Sequence, residues 1–277
     1  MVTASFPELA PGDPPYSMVR ADDALVVYGG GRTYAIDLGL ESPPRDLGAS
    51  WYFVPSARAD RVWLMTLDSE SPDTIRDLAA VREVSLDGRV ARTGSGRPPS
   101  HGPTILAAVS GGLLFQQANG LNLWNPETGD VTARLGGPIP VATRGDLVAW
   151  CAQGCPELHL TNTATGADAV VRPGSSFAFE ETQDGAFSPG GSLLAVPVAA
   201  SDGHRRVALV DMKQGTARLI AGSELASDYP ALAWLPSGDW LVLSAGDGRL
   251  LAARAAGGPA TTLDVRAPAP FVDMATG

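Results

Sequence analysis

Cys151 and Cys155 are the only two cysteines, and they flank Ala152-Gln153-Gly154 between the β-prone runs VAW and ELHL. Residues facing each other across so short a turn can bring their Cβ atoms within disulfide range. A disulfide would imply an oxidising compartment; two reduced structural thiols in a cytoplasmic protein are the alternative. Zinc is a poorer reading, since three scattered histidines offer no second ligand pair. A second candidate is the acidic group Glu180, Glu181 and Asp184, expected in the loop entering the fifth of the repeats described below. Carboxylates converging from several loops can bind calcium or a cationic ligand, but in a chain of net charge −10 they also suit a solvated loop. A third group is aromatic. Trp51 and Tyr52, with Phe53, open one inner strand and Tyr229 opens another. Such residues fill the core or, where they protrude, anchor a partner.

Other chemistry has no local signal. His101, His159 and His204 are far apart, with no HxH, HxxxH or HExxH spacing, so no metal site is expected. His159 alternates with Leu158 and Leu160, which predicts a hydrogen-bonded position on a sheet face. Gly29-Gly30-Gly31 and Gly94-Ser95-Gly96 are not followed by Lys-Ser/Thr and a helix, so they are turns rather than phosphate cradles. The GxSxG nucleophile elbow is absent. Ser237-Gly238-Asp239-Trp240 is only superficially like the box of sialidase-type propellers. No catalytic residue and no cofactor is expected.

The elements that must position these groups are short. The chain has 277 residues, 44% hydrophobic and 18% charged, which excludes intrinsic disorder. Gly 32 and Pro 23 together mean many turns. The 20 basic against 30 acidic residues leave no positive footprint for nucleic acid. Lys213 is the sole lysine and arginine supplies the other basic positions, which fits coding from a GC-rich bacterial genome of actinobacterial type. No run approaches the roughly 18–20 apolar residues of a membrane span. The longest clean stretch, Leu193 to Ala200, is interrupted by Pro197. The N-terminal residues lack basic and apolar signal regions. The expectation is an extracellular or cell-surface chain whose signal is removed or which is fused to a membrane anchor in its native form; the alternative is a cytoplasmic chain.

Helical periodicity is nearly absent. A β-prone run, a tight turn, a second run and a Gly-containing turn recur six times, with later turns at Gly39, Gly88, Gly129, Gly166, Gly215 and Gly257. Their separations of 49, 41, 37, 49 and 42 residues match four-stranded propeller blades. Runs such as ALVVY, RVWLM, GLLF, DLVAW and WLVLS lose strict alternation, as strands covered on both faces do. Asn119-Gly120 and Asp247-Gly248 are the strongest hairpin signals. The expectation is one all-β domain over residues 1–277, a six-bladed β-propeller of four-stranded antiparallel blades at about 16–48, 50–98, 102–136, 138–174, 182–222 and 228–266. Seven blades are the alternative. Ser69–Asp77 reads as an inserted loop with one helical turn, and Ala80–Leu86 as a strand. Ring closure is open between Pro270–Met274 joining the first blade and Val2–Leu9 completing the sixth.

These residues resemble WD-repeat and related bacterial β-propeller domains. Ala186–Val196, AFSPGGSLLAV, is similar to the family's inner strand, Ser-Pro-Gly-Gly turn and apolar second strand. Leu121–Val131, LNLWNPETGDV, is similar to its third strand and Thr-Gly turn, and ALAWLPSGDWLVL and HLTNTATGA repeat those halves. Asn125 replaces the Trp-Asp aspartate and no Gly-His precedes the inner strands, so the family's buried Asp-His-Ser/Thr-Trp network is not expected. The resemblance implies a scaffold that binds proteins or peptides. The expected function is thus a non-catalytic binding or sensory propeller outside the cytoplasm, with binding residues Trp51, Tyr52, Glu180, Glu181, Asp184 and Tyr229. The alternative is a propeller hydrolase or lactonase with a channel-mouth metal.

Overall fold

Short runs of β-branched and aromatic residues, punctuated by glycine turns, can only build short strands. The computed structural model describes residues 17–39, 42–67, 78–94, 105–117, 120–137, 139–225, 231–245 and 249–266. Six antiparallel sheets follow one another along the chain, spanning residues 17–49, 52–93, 105–134, 140–171, 177–219 and 232–266. Five are four-stranded with strands in sequence order, the fifth follows the same order with its first position shared by two short strands, and the fold is the six-bladed β-propeller arrangement rather than seven blades. Among the described residues there is no helix, hence none long and apolar enough to cross a membrane. Tyr229, His101, Ser69–Asp77, Asn119, Asp247-Gly248, Val2–Leu9 and Pro270–Met274 lie outside the described residues.

The sheets group into two compact units that part between Leu135 and Gly136. Within the first unit, sheet 2 shows why its strands are continuously apolar. Phe53, Val62, Leu64 and Val84 pack on Ala21, Val26, Ala35 and Leu47 of sheet 1. The intervening Val54, Trp63, Met65 and Val81 pack on Ile105, Leu113, Phe115 and Trp124 of sheet 3. Both faces of the strand Arg61–Leu67 are therefore core, so period-2 alternation disappears. Arginines tie neighbouring sheets at their outer turns: Arg45 Nη1 donates to Leu86 O at 2.6 Å, and Arg92 pairs with Glu127 at 3.6 Å.

The second unit repeats the scheme. Leu194, Val196 and Val198 of sheet 5 pack on Ala149, Leu158, Leu160 and Val171 of sheet 4. Ala195, Val207 and Leu209 turn the other way, onto Trp234, Leu241, Leu243 and Ala253 of sheet 6. Arg144 Nη1 donates to Ser188 O at 2.7 Å and Arg218 Nη2 to Ala255 O at 2.7 Å. Trp234 Nε1 donates to Ala186 O at 2.9 Å, joining the first strands of sheets 5 and 6.

Candidate binding surface

Sheet 5 departs from its neighbours at its first strand. Phe177–Phe179 pairs with Val198–Ala200, and Ala186–Phe187 pairs with Leu194–Ala195. Residues 180–185 leave the ladder between these halves, opposite Val196 and Pro197. Proline has no N–H to give to an adjacent strand, and such residues in sheets accompany bulges and edges. Glu180, Glu181 and Asp184 thus lie in a loop that interrupts the first strand of sheet 5 and leads into Ala186–Phe187.

The excursion is held at defined points. The Glu180 carboxylate accepts from Arg205 Nε at 2.8 Å and Nη2 at 2.7 Å. Glu181 Oε1 accepts from the backbone N–H of Gly154, which belongs to sheet 4. Asp184 Oδ2 accepts from the Thr182 hydroxyl, and the Asp184 N–H returns to Thr182 Oγ1 at 3.2 Å. Gly185 N–H donates to Val141 O at 3.0 Å on the first strand of sheet 4. A Cβ at Gly185 would stand 2.8 Å from that oxygen and 3.0 Å from Val141 Cγ1, so the approach requires glycine.

The loop that supplies Gly154 is closed by a disulfide. Cys151 and Cys155 are bonded, with Cα atoms 4.8 Å apart, within the usual range. Cys151 ends the second strand of sheet 4, and both cysteines pack in the buried cluster that contains Phe177 and Phe179. Gly154 and Cys155 have φ of +79° and +50°. The zinc reading falls away, since the sulfurs are bonded to each other.

In the first unit, Trp51 and Tyr52 are adjacent but differently placed. Trp51 is 51% exposed, in the connection between sheets 1 and 2, and its N–H donates to Met65 O at 2.7 Å. Tyr52 turns inward, its hydroxyl oxygen accepting the Ile105 N–H at 3.1 Å from sheet 3. Burial pushes the Tyr52 phenol up to about 12, against the smaller opposing effect of that N–H. Tyr52 is therefore a strut between sheets, whereas Trp51 presents its indole to solvent.

Sequence reasoning missed two polar clusters. Glu83 is fully buried in sheet 2, on the face toward sheet 3. It accepts from Arg92 Nε at 2.6 Å and Nη2 at 3.0 Å, from the Ser56 hydroxyl at 2.5 Å and from Arg61 Nη1 at 3.4 Å. The signal was available: an acidic residue occurs two positions after Val81, in core phase. In sheet 4, Trp150 Nε1 donates to Thr161 Oγ1 at 2.8 Å and the Thr161 hydroxyl donates to Asp168 Oδ1 at 2.6 Å. Asp168 Oδ2 is 2.9 Å from His159 Nδ1, and the His159 ring stacks on Trp150 at 4.1 Å, closing the circuit. His159 is thus a hydrogen-bonded residue on a sheet face.

Among the described residues, no three His, Cys, Asp or Glu side chains group as metal ligands. No protein-family model matches this chain, and no curated protein matches it significantly.

Proposed function

We propose that this chain is a non-catalytic binding module, a single propeller domain that presents fixed loop residues to a protein or peptide partner outside the cytoplasm. The observation that carries this reading is the excursion at residues 180–185. A first strand gives up ladder hydrogen bonds, and the displaced residues hold carboxylates in set directions on a rigid sheet. Glycine at 185 and proline at 197 specify the departure locally. Preorganised groups on rigid elements bind with little ordering cost. Exposed Trp51 is an anchor of the type that dominates interfaces, offered separately by the first unit. The net charge of −10 favours a partner with basic residues. The disulfide favours an oxidising compartment, and hence display at or beyond the cell surface. The likeness of Ala186–Val196 to WD-type blades supports the same scaffold role.

The test is site-specific photocrosslinking in the producing cell. A photoreactive residue at 51 or at 181 is expected to yield a discrete protein adduct, identified by mass spectrometry. The purified partner should then bind the unmodified chain, with Glu181→Gln weakening it at least tenfold. Absence of adducts at both positions, or calcium-dependent turnover of lactone substrates by the purified chain, would overturn the binding reading.

A further inference from the structure

The disulfide and the acidic excursion meet at one hydrogen bond. Glu181, in the middle of the excursion, is held by the N–H of Gly154, and Gly154 lies inside the five-residue disulfide ring. The ring forces an unusual backbone. Cys155 has φ of +50°, and only one other described non-glycine residue, Asp22, shares that sign. An L-residue rarely adopts this conformation without a constraint. The two cysteines share one buried cluster with Phe177 and Phe179, the strand that leads into the excursion.

We infer that the Cys151–Cys155 disulfide is a redox-sensitive latch on the 180–185 excursion. A dithiol reductant supplies the electrons. One of its thiolates attacks a cysteine sulfur, breaks the S–S bond and forms a mixed disulfide. Its second thiolate displaces that sulfur, leaving an oxidised reductant and two cysteine thiols, with the reductant's two protons on the cysteines. Both cysteines are 2% exposed, so the attack follows local opening of the turn at Gln153 and Gly154, which are exposed. Freed of the ring, Cys155 leaves the left-handed region and the Gly154 N–H swings off Glu181. The excursion then keeps only its ends, at Glu180–Arg205 and Gly185–Val141. The latch stands on this geometry; only its consequence for a partner rests on the binding reading.

Hydrogen exchange of the full chain tests it, before and after dithiothreitol, with free thiols counted. Two thiols and at least tenfold faster exchange over 180–185, with Leu193–Ala200 unchanged, is the expected result. Glu181→Ala should give the same acceleration with the disulfide intact, and reduction should add nothing further. Exchange over 180–185 that ignores reduction once two thiols are counted would overturn the latch, as would additive effects of the two changes. The Cys151→Ser/Cys155→Ser pair repeats the measurement without reductant; if that variant does not fold, the dithiothreitol arm on the native chain decides alone. Because no partner is present, failure here leaves the binding reading intact, and a missing crosslink leaves the latch intact.

Discussion

Sheets 2 and 5 both carry carboxylates that the rest of the molecule has to accommodate, and they do so in opposite ways. In sheet 2, Glu83 stays in register, opposite Trp63 on one side and Arg92 on the other, and is removed from water. Arg92, Arg61 and Ser56 saturate it, and the Arg92 guanidinium lies 5.0 Å over the Trp63 ring. In sheet 5 the strand itself breaks, so that Glu180, Glu181 and Asp184 stay near solvent with one or two donors each. A carboxylate kept in register and fully paired serves the fold. One for which the backbone gives up its ladder keeps access to water and is tied to the adjacent sheet at single points, at Gly154 and Val141.

The largest expected effect breaks the first half of that contrast. Glu83→Gln leaves two arginines without their shared charge and should cost about 3 kcal/mol in chemical denaturation. The pH dependence follows. Burial pushes the Glu83 carboxyl up, but Arg92, Ser56 and Arg61 together outweigh it and hold it below the ordinary glutamate value. A depressed folded-state value contributes stability that is complete above the unfolded-state value of about 4.3. That contribution drains as pH falls through the lower folded-state value. Denaturation midpoints measured down through the acid range should therefore fall more steeply for the native chain than for Glu83→Gln. Parallel acid limbs would remove Glu83 from its assigned role.

The next effect is at the excursion's root. Gly185→Ala places a methyl against Val141 O and the Ala142 Cβ, 3.2 Å away, and should cost about 2 kcal/mol by overpacking. Because the clash opposes the departure from the ladder and not the sheet, crosslinking from position 181 should fall in the same variant. An alanine tolerated within about 0.5 kcal/mol would show that the approach of sheets 4 and 5 at this point is loose.

Much of the fold was legible, and the reason is local. Apolar runs such as Val62-Trp63-Leu64-Met65 announce burial on both faces, and stacked sheets are a direct way to achieve it. The Ser188-Pro189-Gly190-Gly191 turn forms where its residues ask for it, with Gly191 at φ +69° and its N–H on Ser188 O at 2.8 Å. The site was less legible. Pro197 was visible as an interruption of Leu193–Ala200, but a proline announces only a missing donor. Where the adjacent strand goes instead is set by Val141 on another sheet. Glu83 depends on Arg92 through strand register, which no spacing in the chain encodes. The Trp150–Thr161–Asp168–His159 circuit assembles likewise, from Trp150 opposite His159 and Thr161 opposite Asp168. The WD-type network was not expected, and its four residue types meet here by a different route: the tryptophan is on a second strand and the histidine on a third.

The smallest effect is the sharpest test of the contrast. Glu180 has the pairing geometry that, in sheet 2, marks a structural group: two nitrogens of Arg205 at 2.8 and 2.7 Å. Pairing alone would predict a cost like that of Glu83. Solvation predicts otherwise, because both side chains retain about a quarter of their exposure, at 25% and 23%. Water then competes for each charge, and either partner left alone is rehydrated. Glu180→Gln should cost only about 0.5 kcal/mol in denaturation, within the range of surface pairs. A loss near that of Glu83→Gln would mean that the excursion is a buttress of sheet 5, since only a group whose removal leaves an unhydrated charge behind can weigh so much.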